Sequence, residues 1–181
     1  SAAFDTIDHD VLYSRLASIG VKGSALKWLQ SYLSNRNQSV NIAGVLSDFD
    51  PLPYGVPQGS VLGPLLFTIY AGPIANTARK HGLRVHAYAD DTQLYLPFDL
   101  NIPNSEESAR QCAEACISEI KSWMTINKLK LNDDKTEFLI ITPKHQRHKI
   151  INHNIHVDSA SIHASSCARN LRVIFDTTLS M

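Results

Sequence analysis

The chain has 181 residues, 44% of them hydrophobic, and its 17 lysines and arginines balance 17 acidic residues, so the formal net charge is zero. This length and apolar content support one sizeable core and predict a single domain over residues 1–181. A neutral balance counts against the strongly basic class of nucleic-acid-binding proteins. It does not exclude that class, because carboxylates that hold metal ions would cancel the charge of basic residues in the net count.

The three cysteines are too few, and odd in number, for a disulfide framework, so they predict a reducing, intracellular compartment, nucleus or cytoplasm. We expect Cys112 and Cys116 to be small packed residues of a helix. No apolar run reaches the length of a membrane span and no signal peptide is visible, so we expect no membrane partner. Because the first residue is Ser1 rather than Met, we expect the chain to begin inside a longer protein.

The first half of the chain predicts helices separated by turns. Asp8 can accept hydrogen bonds at the start of the first helix, Gly20 ends it, and Ser24 can cap the second. Proline and glycine mark a loop and, further on, an irregularity near Gly72-Pro73 in an apolar helix. The predicted elements are helices over 7–20, 22–36 and 60–80, two short extended pieces that turn at Ala43-Gly44, and a loop over 53–64.

The second half predicts a hairpin, one long helix and two strands. Strand-forming residues flank Asp90 and Asp91, so this pair stands at the tip of the hairpin, and Ser105 can cap the helix. The predicted elements are a hairpin over 83–98, an amphipathic helix over 105–131, a strand over 135–142, a polar loop over 143–154 and a strand over 170–176. Helices mixed with short, mostly antiparallel strands predict an α+β fold, with helices on one face of a small sheet.

Asp90 and Asp91 allow two interpretations. Asp is a common turn residue, so the pair is compatible with an ordinary hairpin turn. Adjacent carboxylates also oppose each other's ionisation, and a divalent cation removes that repulsion. Mg²⁺ prefers carboxylate oxygens together with substrate phosphates, and two such ions about 3.5–4 Å apart form the clamp of phosphoryl-transfer enzymes. The pair therefore indicates a candidate metal site, which needs a further carboxylate from another element.

Two further segments offer polar groups. In GVPQGSVLGP, Gly59 lets the backbone approach a ligand, Gln58 offers a donor and an acceptor, and Ser60 stands at a helix start that favours anions. A proline-rich turn capped by Ser60 explains the same residues without a ligand. In LKLNDDKTEFLI, Lys135 is either an exposed turn lysine or a cation beside a phosphate.

Histidines toward the end of the sequence raise a zinc site as an alternative. Their spacings match no compact zinc-binding pattern, so we expect them, together with the basic run KHQRHK, to line a solvated loop. The residues concerned are His145, His148, His153, His156, His163 and Cys167.

Five motifs follow one another along nearly the whole chain, namely SAAFDTIDHDVL, GVPQGSVLGPLLF, AYADDTQLY, LKLNDDKTEFLI and NLRVIFDTTLSM. In this order and spacing they closely resemble the palm of reverse transcriptases from non-LTR retrotransposons of the jockey-like and related LINE kind. The resemblance implies a polymerase palm, in which helices back a small antiparallel sheet. It also implies that deoxynucleotides (dNTPs) are added to the 3′ hydroxyl of a DNA primer and copied from an RNA template.

The resemblance implies catalytic roles for three residues. Asp90 matches the metal ligand of the family's hairpin, and Asp91 matches its neighbour. The ions implied are two Mg²⁺, or Mn²⁺ in their place, which activate the primer hydroxyl and stabilise the departing pyrophosphate. Lys135 matches the lysine that assists pyrophosphate departure.

Four more residues match family positions that contact nucleic acid or nucleotide. Phe4 matches the bulky residue that blocks a ribose 2′ hydroxyl and so selects deoxynucleotides. Tyr88 matches the aromatic residue near the primer end, whereas Gln58 and Gly59 match residues that contact the incoming nucleotide and the template.

The sequence also departs from the family's pattern. The first motif of the family carries an Asp metal ligand two positions before the residue that Ser1 matches, and that Asp lies outside the 181 residues. Asp5 and Asp8 are not its equivalents, because both follow Phe4. We therefore expect that the chain on its own does not polymerise.

Other parts of the family's pattern are also missing. The closing motif of the family reads Asn-Leu-Gly, whereas this chain has Asn170-Leu171-Arg172. The polymerase fingers and thumb have no room in the sequence, so we expect residues 1–181 to be a partial, palm domain. Two alternatives remain open, a catalytically dead relic and a domesticated module that binds nucleic acid or protein. The sequence defines no oligomeric state.

Overall fold

The computed structural model describes residues 2–158 and 160–179, without the side chains of Ala2 and Asp133. It combines α-helices with short antiparallel strand pairs, which confirms the predicted α+β class. The α-helices in these residues are α1 (His9–Ser18), α2 (Gly23–Leu33), α3 (Gly63–Ala71), α4 (Pro73–Lys80) and α5 (Ser105–Ile126). None of the helices among the described residues has the length and apolar character needed to span a membrane.

The strands of the described residues form separate two-stranded pairs. Four pairs have an antiparallel register, namely β1 with β4, β2 with β3, β7 with β8 and β9 with β10. The fifth, β5 with β6, is joined by two residues, a connection that only antiparallel strands allow. The strands are β1 (Asn37–Gln38), β2 (Asn41–Ile42), β3 (Val45–Leu46), β4 (Asp50–Pro51), β5 (Arg84–Tyr88), β6 (Asp91–Tyr95), β7 (Asn154–Val157), β8 (Ala160–His163), β9 (Cys167–Asn170) and β10 (Val173–Asp176).

The chain divides into two compact units. Unit 1 comprises Ser1–Asn76, His86–Gln93 and Trp123–Lys130, and unit 2 comprises Thr77–Val85, Leu94–Ser122 and Leu131–Met181. The sequence-based expectation of one partial palm domain over the chain stays a prediction.

The core of unit 1 forms where α1 packs against α3. Leu12 and Leu16 stand four residues apart on α1, so both project from the same helix face. They pack with buried apolar residues of α3 and its neighbours, and the cluster comprises Ile7, Leu12, Leu16, Leu33, Val56, Leu66, Phe67, Tyr70 and Leu129. This cluster is the apolar base on which the N-terminal segment and the loop before α3 rest.

Tyr70 brings a polar group into that core. Its ring is fully buried, and its hydroxyl donates to the carbonyl oxygen of Asn127 at 2.6 Å. Burial raises the pKa of the Tyr70 hydroxyl, so the group keeps its proton. The side chain of Asn127 accepts from Arg15 Nη2 at 3.0 Å, and the Arg15 guanidinium lies 5.3 Å from the ring centre of Trp123. These polar contacts tie α1 and α3 to residues 123–127 inside the same unit.

The core of unit 2 includes one face of α5. Cys116 and Ile120, four residues apart, are the buried residues of this helix. Burial raises the pKa of Cys116 to about 11, which keeps its thiol protonated and weakly nucleophilic. The expectation that Cys116 is a packed residue is therefore confirmed.

Several predicted elements match the structure. The Asp8 carboxylate accepts from the backbone N–H of Asp10 and of Val11, so it caps α1 as predicted. Ala43 and Gly44 both have positive φ in the turn between β2 and β3, as a two-residue hairpin turn requires. The predicted irregularity at Gly72-Pro73 is a break between α3 and α4.

Two predicted helix caps are wrong. α2 begins at Gly23, so the cap position falls on Lys22, which makes no side-chain capping bond, and not on Ser24. Ser105 is the first residue of α5, and its hydroxyl accepts from the backbone N–H of Asp99. Both serines lie within one or two residues of the true boundary, where a sequence pattern has least power.

The predicted strand over 135–142 is also wrong. In this segment Phe138 makes one isolated parallel bridge with Ala164. The backbone N–H of Thr142 donates to the carbonyl oxygen of Thr177 at 3.0 Å. Strand composition alone does not make a ladder, since each strand needs a neighbour in register. The polar loop predicted over 143–154 contains a 3₁₀ helix at Lys144–Lys149, and the hairpin of β7 and β8 was not predicted.

The buried hydroxyl of Tyr70 gives a stability prediction. Tyr70→Phe leaves the ring in place but removes the donor to the Asn127 carbonyl, and we expect a loss of about 1–3 kcal/mol in the free energy of unfolding. Urea denaturation measures the loss. Tyr54→Phe is the control, because that side chain is exposed and should change stability by less than about 0.5 kcal/mol. Equal effects of the two variants would contradict a structural role for the Tyr70 hydroxyl.

Candidate active site

The N-terminal segment and the loop before α3 are joined through their backbones. The backbone N–H of Gly55 donates to the carbonyl oxygen of Ile7 at 2.8 Å, and the backbone N–H of Val56 donates to the carbonyl oxygen of Phe4 at 2.9 Å. Gly55 has a φ of +80°, and a Cβ atom at this position would lie 2.8 Å from the Cα of Asp5. Only glycine allows this approach, so Gly55 sets the distance between the two segments.

The carbonyl of Gly55 is held from two sides. Its oxygen accepts from Nε2 of His9 at 2.7 Å and from Nη1 of Arg36 at 2.9 Å. Because a carbonyl oxygen only accepts, Nε2 of His9 carries its proton here. The peptide group that follows Gly55 is therefore fixed in orientation, and with it the start of the loop that leads to Gln58.

Phe4, predicted to select deoxynucleotides, lies at the edge of the unit 1 core. Its ring centre is 5.0 Å from that of Phe67 on α3, with the two planes tilted by 36°. Such a tilted pair is a favourable aromatic contact. The half-buried ring thus packs against the core and is partly exposed to solvent. Its role against a ribose 2′ hydroxyl stays a prediction.

Gln58 and Gly59 are both exposed, on the outer side of the same loop. Nε2 of Gln58 donates to both oxygens of the Asp5 carboxylate, at 2.9 and 2.8 Å. Gly59 has a φ of +76° with open space where a Cβ would stand, so its backbone is accessible. Oγ of Ser60 accepts from the backbone N–H of Gly63, the first residue of α3, at 3.0 Å. The cap position itself falls on Leu62, which makes no side-chain capping bond, so Ser60 is not the predicted cap. The structure therefore brings Phe4, Asp5 and Gln58 to one corner of unit 1.

The hairpin of β5 and β6 carries the other predicted residues. Its two-residue turn is Ala89-Asp90, and Ala89 has a φ of +52°, in the left-handed region that costs a non-glycine residue about 1–2 kcal/mol. Tyr88 is 68% exposed, and Asp90 and Asp91 are exposed as well. Within residues 2–158 and 160–179, neither carboxylate makes a side-chain hydrogen bond or an ion pair. The strand pairing holds this strained turn and leaves both carboxylates available.

The donor chemistry of this tip fits a hard divalent cation in part. Asp90 and Asp91 supply carboxylate oxygens, and Mg²⁺ is often bound by one or two carboxylates together with substrate phosphates and waters. No group of three or more His, Cys, Asp or Glu side chains that could hold a metal occurs among the described residues. The histidines and Cys167 that were considered for zinc likewise form no such group within the part of the chain that the structure describes.

Lys135 ends a 3₁₀ helix at Asp133–Lys135, and its side chain is exposed. It belongs to unit 2, whereas Phe4, Gln58, Gly59 and the tip of the hairpin belong to unit 1. Its part in pyrophosphate departure stays a prediction.

Arg172 stands where the resemblance leads one to expect glycine. Leu171 and Arg172 form the turn between β9 and β10, and their φ angles are +46° and +68°. A two-residue hairpin turn of this kind requires positive φ at both positions, which favours Asn and Gly. This turn therefore favours a glycine, and Arg172 holds a left-handed conformation at a cost in free energy.

Sequence reasoning missed Asp5 and Gly55. Asp5 was considered only as a metal ligand and rejected, and its contact with Gln58 joins residues 53 positions apart. Gly55 lies in a loop with several glycines and prolines, where no local pattern singles out the one that meets another segment.

The chain matches a protein-family model described as reverse transcriptase (RNA-dependent DNA polymerase) over residues 1–166. It is 33% identical to a probable RNA-directed DNA polymerase from transposon BS of Drosophila melanogaster over 139 residues, which are 74% of this chain and 15% of that protein. It is 28% identical to the RNA-directed DNA polymerase from mobile element jockey of the same organism over 113 residues, 59% of this chain and 12% of that protein.

A third relative is the retrovirus-related Pol polyprotein from type-2 retrotransposable element R2DM of Drosophila melanogaster. It is 26% identical over 143 residues, which are 75% of this chain and 12% of that protein. The chain thus spans less than a sixth of the length of the curated relatives described here.

The close approach at Gly55 gives a prediction. Gly55→Ala places a methyl group against the backbone of Asp5 in a left-handed conformation, and we expect a loss of roughly 2–5 kcal/mol in unfolding free energy. Gly20→Ala is the matched control, because Gly20 has a φ of +95° but open space around it. The control should lose only about 1–2 kcal/mol. Denaturant titration of both variants measures the difference. Equal losses of stability would show that the close contact between Gly55 and Asp5 adds no cost beyond the left-handed backbone conformation.

The turn at Arg172 gives a prediction of opposite sign. Arg172→Gly relieves the left-handed strain, and we expect a gain of about 1 kcal/mol in unfolding free energy. Arg169→Gly is the contrasting variant, because Arg169 pairs with Ile174 inside β9, where glycine weakens a strand. Thermal and urea unfolding of both variants measure these changes. A loss of stability in Arg172→Gly would mean that the Arg172 side chain contributes more than its backbone strain removes.

Proposed function

Because this chain belongs to the reverse transcriptase family, we propose that it forms the palm part of the RNA-directed DNA polymerase of a non-LTR retrotransposon. Reverse transcriptases in general depend on divalent cations and bind a template and a primer. The substrates proposed for this chain are an RNA template, a DNA primer and dNTPs. The observation that carries the proposal is the strained hairpin turn, which holds two unpaired carboxylates at an exposed tip inside the matched range, as far as the described residues extend.

In this proposal Asp90 and Asp91 hold the divalent cations, Mg²⁺ or Mn²⁺. Such ions, when bound, activate a hydroxyl and stabilise a pyrophosphate leaving group. The carboxylates are exposed, and the pairing of β5 with β6 holds them in position. The exposed ring of Tyr88 offers an apolar face beside them for the primer end.

The corner of unit 1 serves nucleotide selection in the same proposal. The partly exposed ring of Phe4, which packs against Phe67, excludes a ribose 2′ hydroxyl. Gln58 and the accessible backbone of Gly59 contact the nucleotide and the template. Lys135, an exposed cation, neutralises the departing pyrophosphate.

The alternatives of a catalytically dead relic or a binding module are less well supported. The relatives described above are named as polymerases or as a Pol polyprotein, and the neutral net charge does not favour a module that binds nucleic acid by itself. We also propose that the protein acts inside the cell, in the nucleus or the cytoplasm, which the sparse cysteines support.

The test uses the open reading frame that encodes this segment, expressed over its full length, with a DNA primer annealed to an RNA template and Mg²⁺. Asp90→Asn keeps the size of the side chain but removes its charge, and we expect kcat for primer extension to fall by roughly 10²–10³-fold. Asp48→Asn, an exposed acid of the same unit outside the site, is the control and should keep normal activity. Extension by Asp90→Asn at the normal rate, or none by the unaltered protein, would overturn the proposal.

A further inference from the structure

We propose that Asp5 is a positioning residue, which fixes the side-chain amide of Gln58 so that its carbonyl oxygen faces the nucleotide substrate as a hydrogen-bond acceptor. The identity of the ligand rests on the proposed function, whereas the contact between Asp5 and Gln58 does not. Neither the resemblance nor the relatives' names assign a role to Asp5.

The chemistry of the two groups determines which way the amide of Gln58 points. Its nitrogen lies 2.9 and 2.8 Å from the two oxygens of the Asp5 carboxylate. An ionised carboxylate only accepts hydrogen bonds, so the amide must present its NH₂ group to it. The opposite orientation would bring the amide oxygen against the negative charge. Oε1 of Gln58 is therefore directed away from Asp5.

The backbone fixes both partners independently of this contact. Asp5 is flanked by Phe4 and the segment to Ile7, whose carbonyl oxygens accept from Val56 and Gly55. Gln58 follows two residues after Val56. The backbone bonds between the two segments thus place the side chains of Asp5 and Gln58 within hydrogen-bond distance of each other.

The contact contributes little to holding the fold together. Asp5 and Gln58 are both exposed, and polar pairs in water contribute little to stability. Among the described residues, Asp5 makes no ion pair with Lys, Arg or His. A carboxylate without a cation, bound instead to an exposed amide, fits orientation of that amide better than stabilisation of the unit.

This orientation selects the kind of ligand group that Gln58 can contact. Oε1 accepts from an O–H or N–H group, such as a hydroxyl or an amino group of a nucleotide, and repels phosphate oxygens. A contact with phosphate would need the NH₂ group, whose nitrogen already donates to the Asp5 carboxylate.

The central experiment reverses the polarity of the pair in the full-length protein. Gln58→Glu sets two carboxylates against each other, so we expect KM for dNTP to rise about tenfold, with a smaller change in kcat. Asp5→Ala should also raise KM, because the amide is then free to rotate. In the double variant Asp5→Asn with Gln58→Glu, the new amide donates to the new carboxylate in the reverse sense, and the carboxylate still offers an acceptor to the ligand. We expect KM to return to within about threefold of normal.

Two controls separate orientation from general effects of charge. The double variant Asp10→Asn with Gln30→Glu makes the same exchange at exposed positions of α1 and α2 and should leave KM unchanged. The second control does not need activity. In the ¹⁵N-labelled 181-residue chain, Asp5→Asn should shift the side-chain amide resonances of Gln58, whereas Asp10→Asn should not.

The outcomes distinguish this inference from the proposed function. Shifted resonances and rescue of KM by the double variant would support it. Unshifted resonances, an unchanged KM in Gln58→Glu, or failure of the double variant to rescue would overturn it. If the unaltered protein extends no primer, the proposed function fails, and the resonances alone decide whether Asp5 fixes the Gln58 amide.

Discussion

The close approach of Gly55 to the segment around Asp5 is the constraint on which the described part of the site depends. A side chain at Gly55 would stand 2.8 Å from the Asp5 Cα, so the backbones of the two segments can pair only because this residue has none. Two backbone hydrogen bonds then lock the segments together, and His9 and Arg36 hold the Gly55 carbonyl. Phe4, Gln58 and Gly59, the predicted nucleotide-contacting residues outside the hairpin, take their positions from this junction.

The junction is connected to the core through the aromatic residues of α3. Phe4, at one end of the joined segment, packs on Phe67, and one helical turn later Tyr70 donates to the carbonyl of Asn127. One face of this helix therefore both supports Phe4 and contributes to the core of unit 1. Because the interior is close-packed, a change of volume at Phe67 or Tyr70 is transmitted to the residues packed against it.

Local patterns in the sequence predicted those elements that local interactions form. Asp8 caps α1 through hydrogen bonds to residues two and three positions away, and the hairpin around Asp90 joins adjacent strands. The failures involve distant partners. The strand expected over 135–142 finds no neighbour in register among the described residues, and the contact between Asp5 and Gln58 joins parts of the chain that no local pattern relates. The order of the motifs identified the family correctly, because it samples the whole chain at once.

The two hairpins with left-handed turn residues lead to different conclusions. At Ala89 the strain stands directly beside the two carboxylates, and strain retained at such a position is typical of functional sites, since the surrounding pairing must hold it there. At Arg172 the turn demands the conformation that glycine adopts without cost, and the residue conflicts with its own backbone. Arg172 makes no side-chain hydrogen bond or ion pair within the described part of the chain, so no polar contact of its side chain offsets this conflict between local preference and fold. The first turn keeps both carboxylates in place, so the candidate chemistry is retained at the tip of β5 and β6.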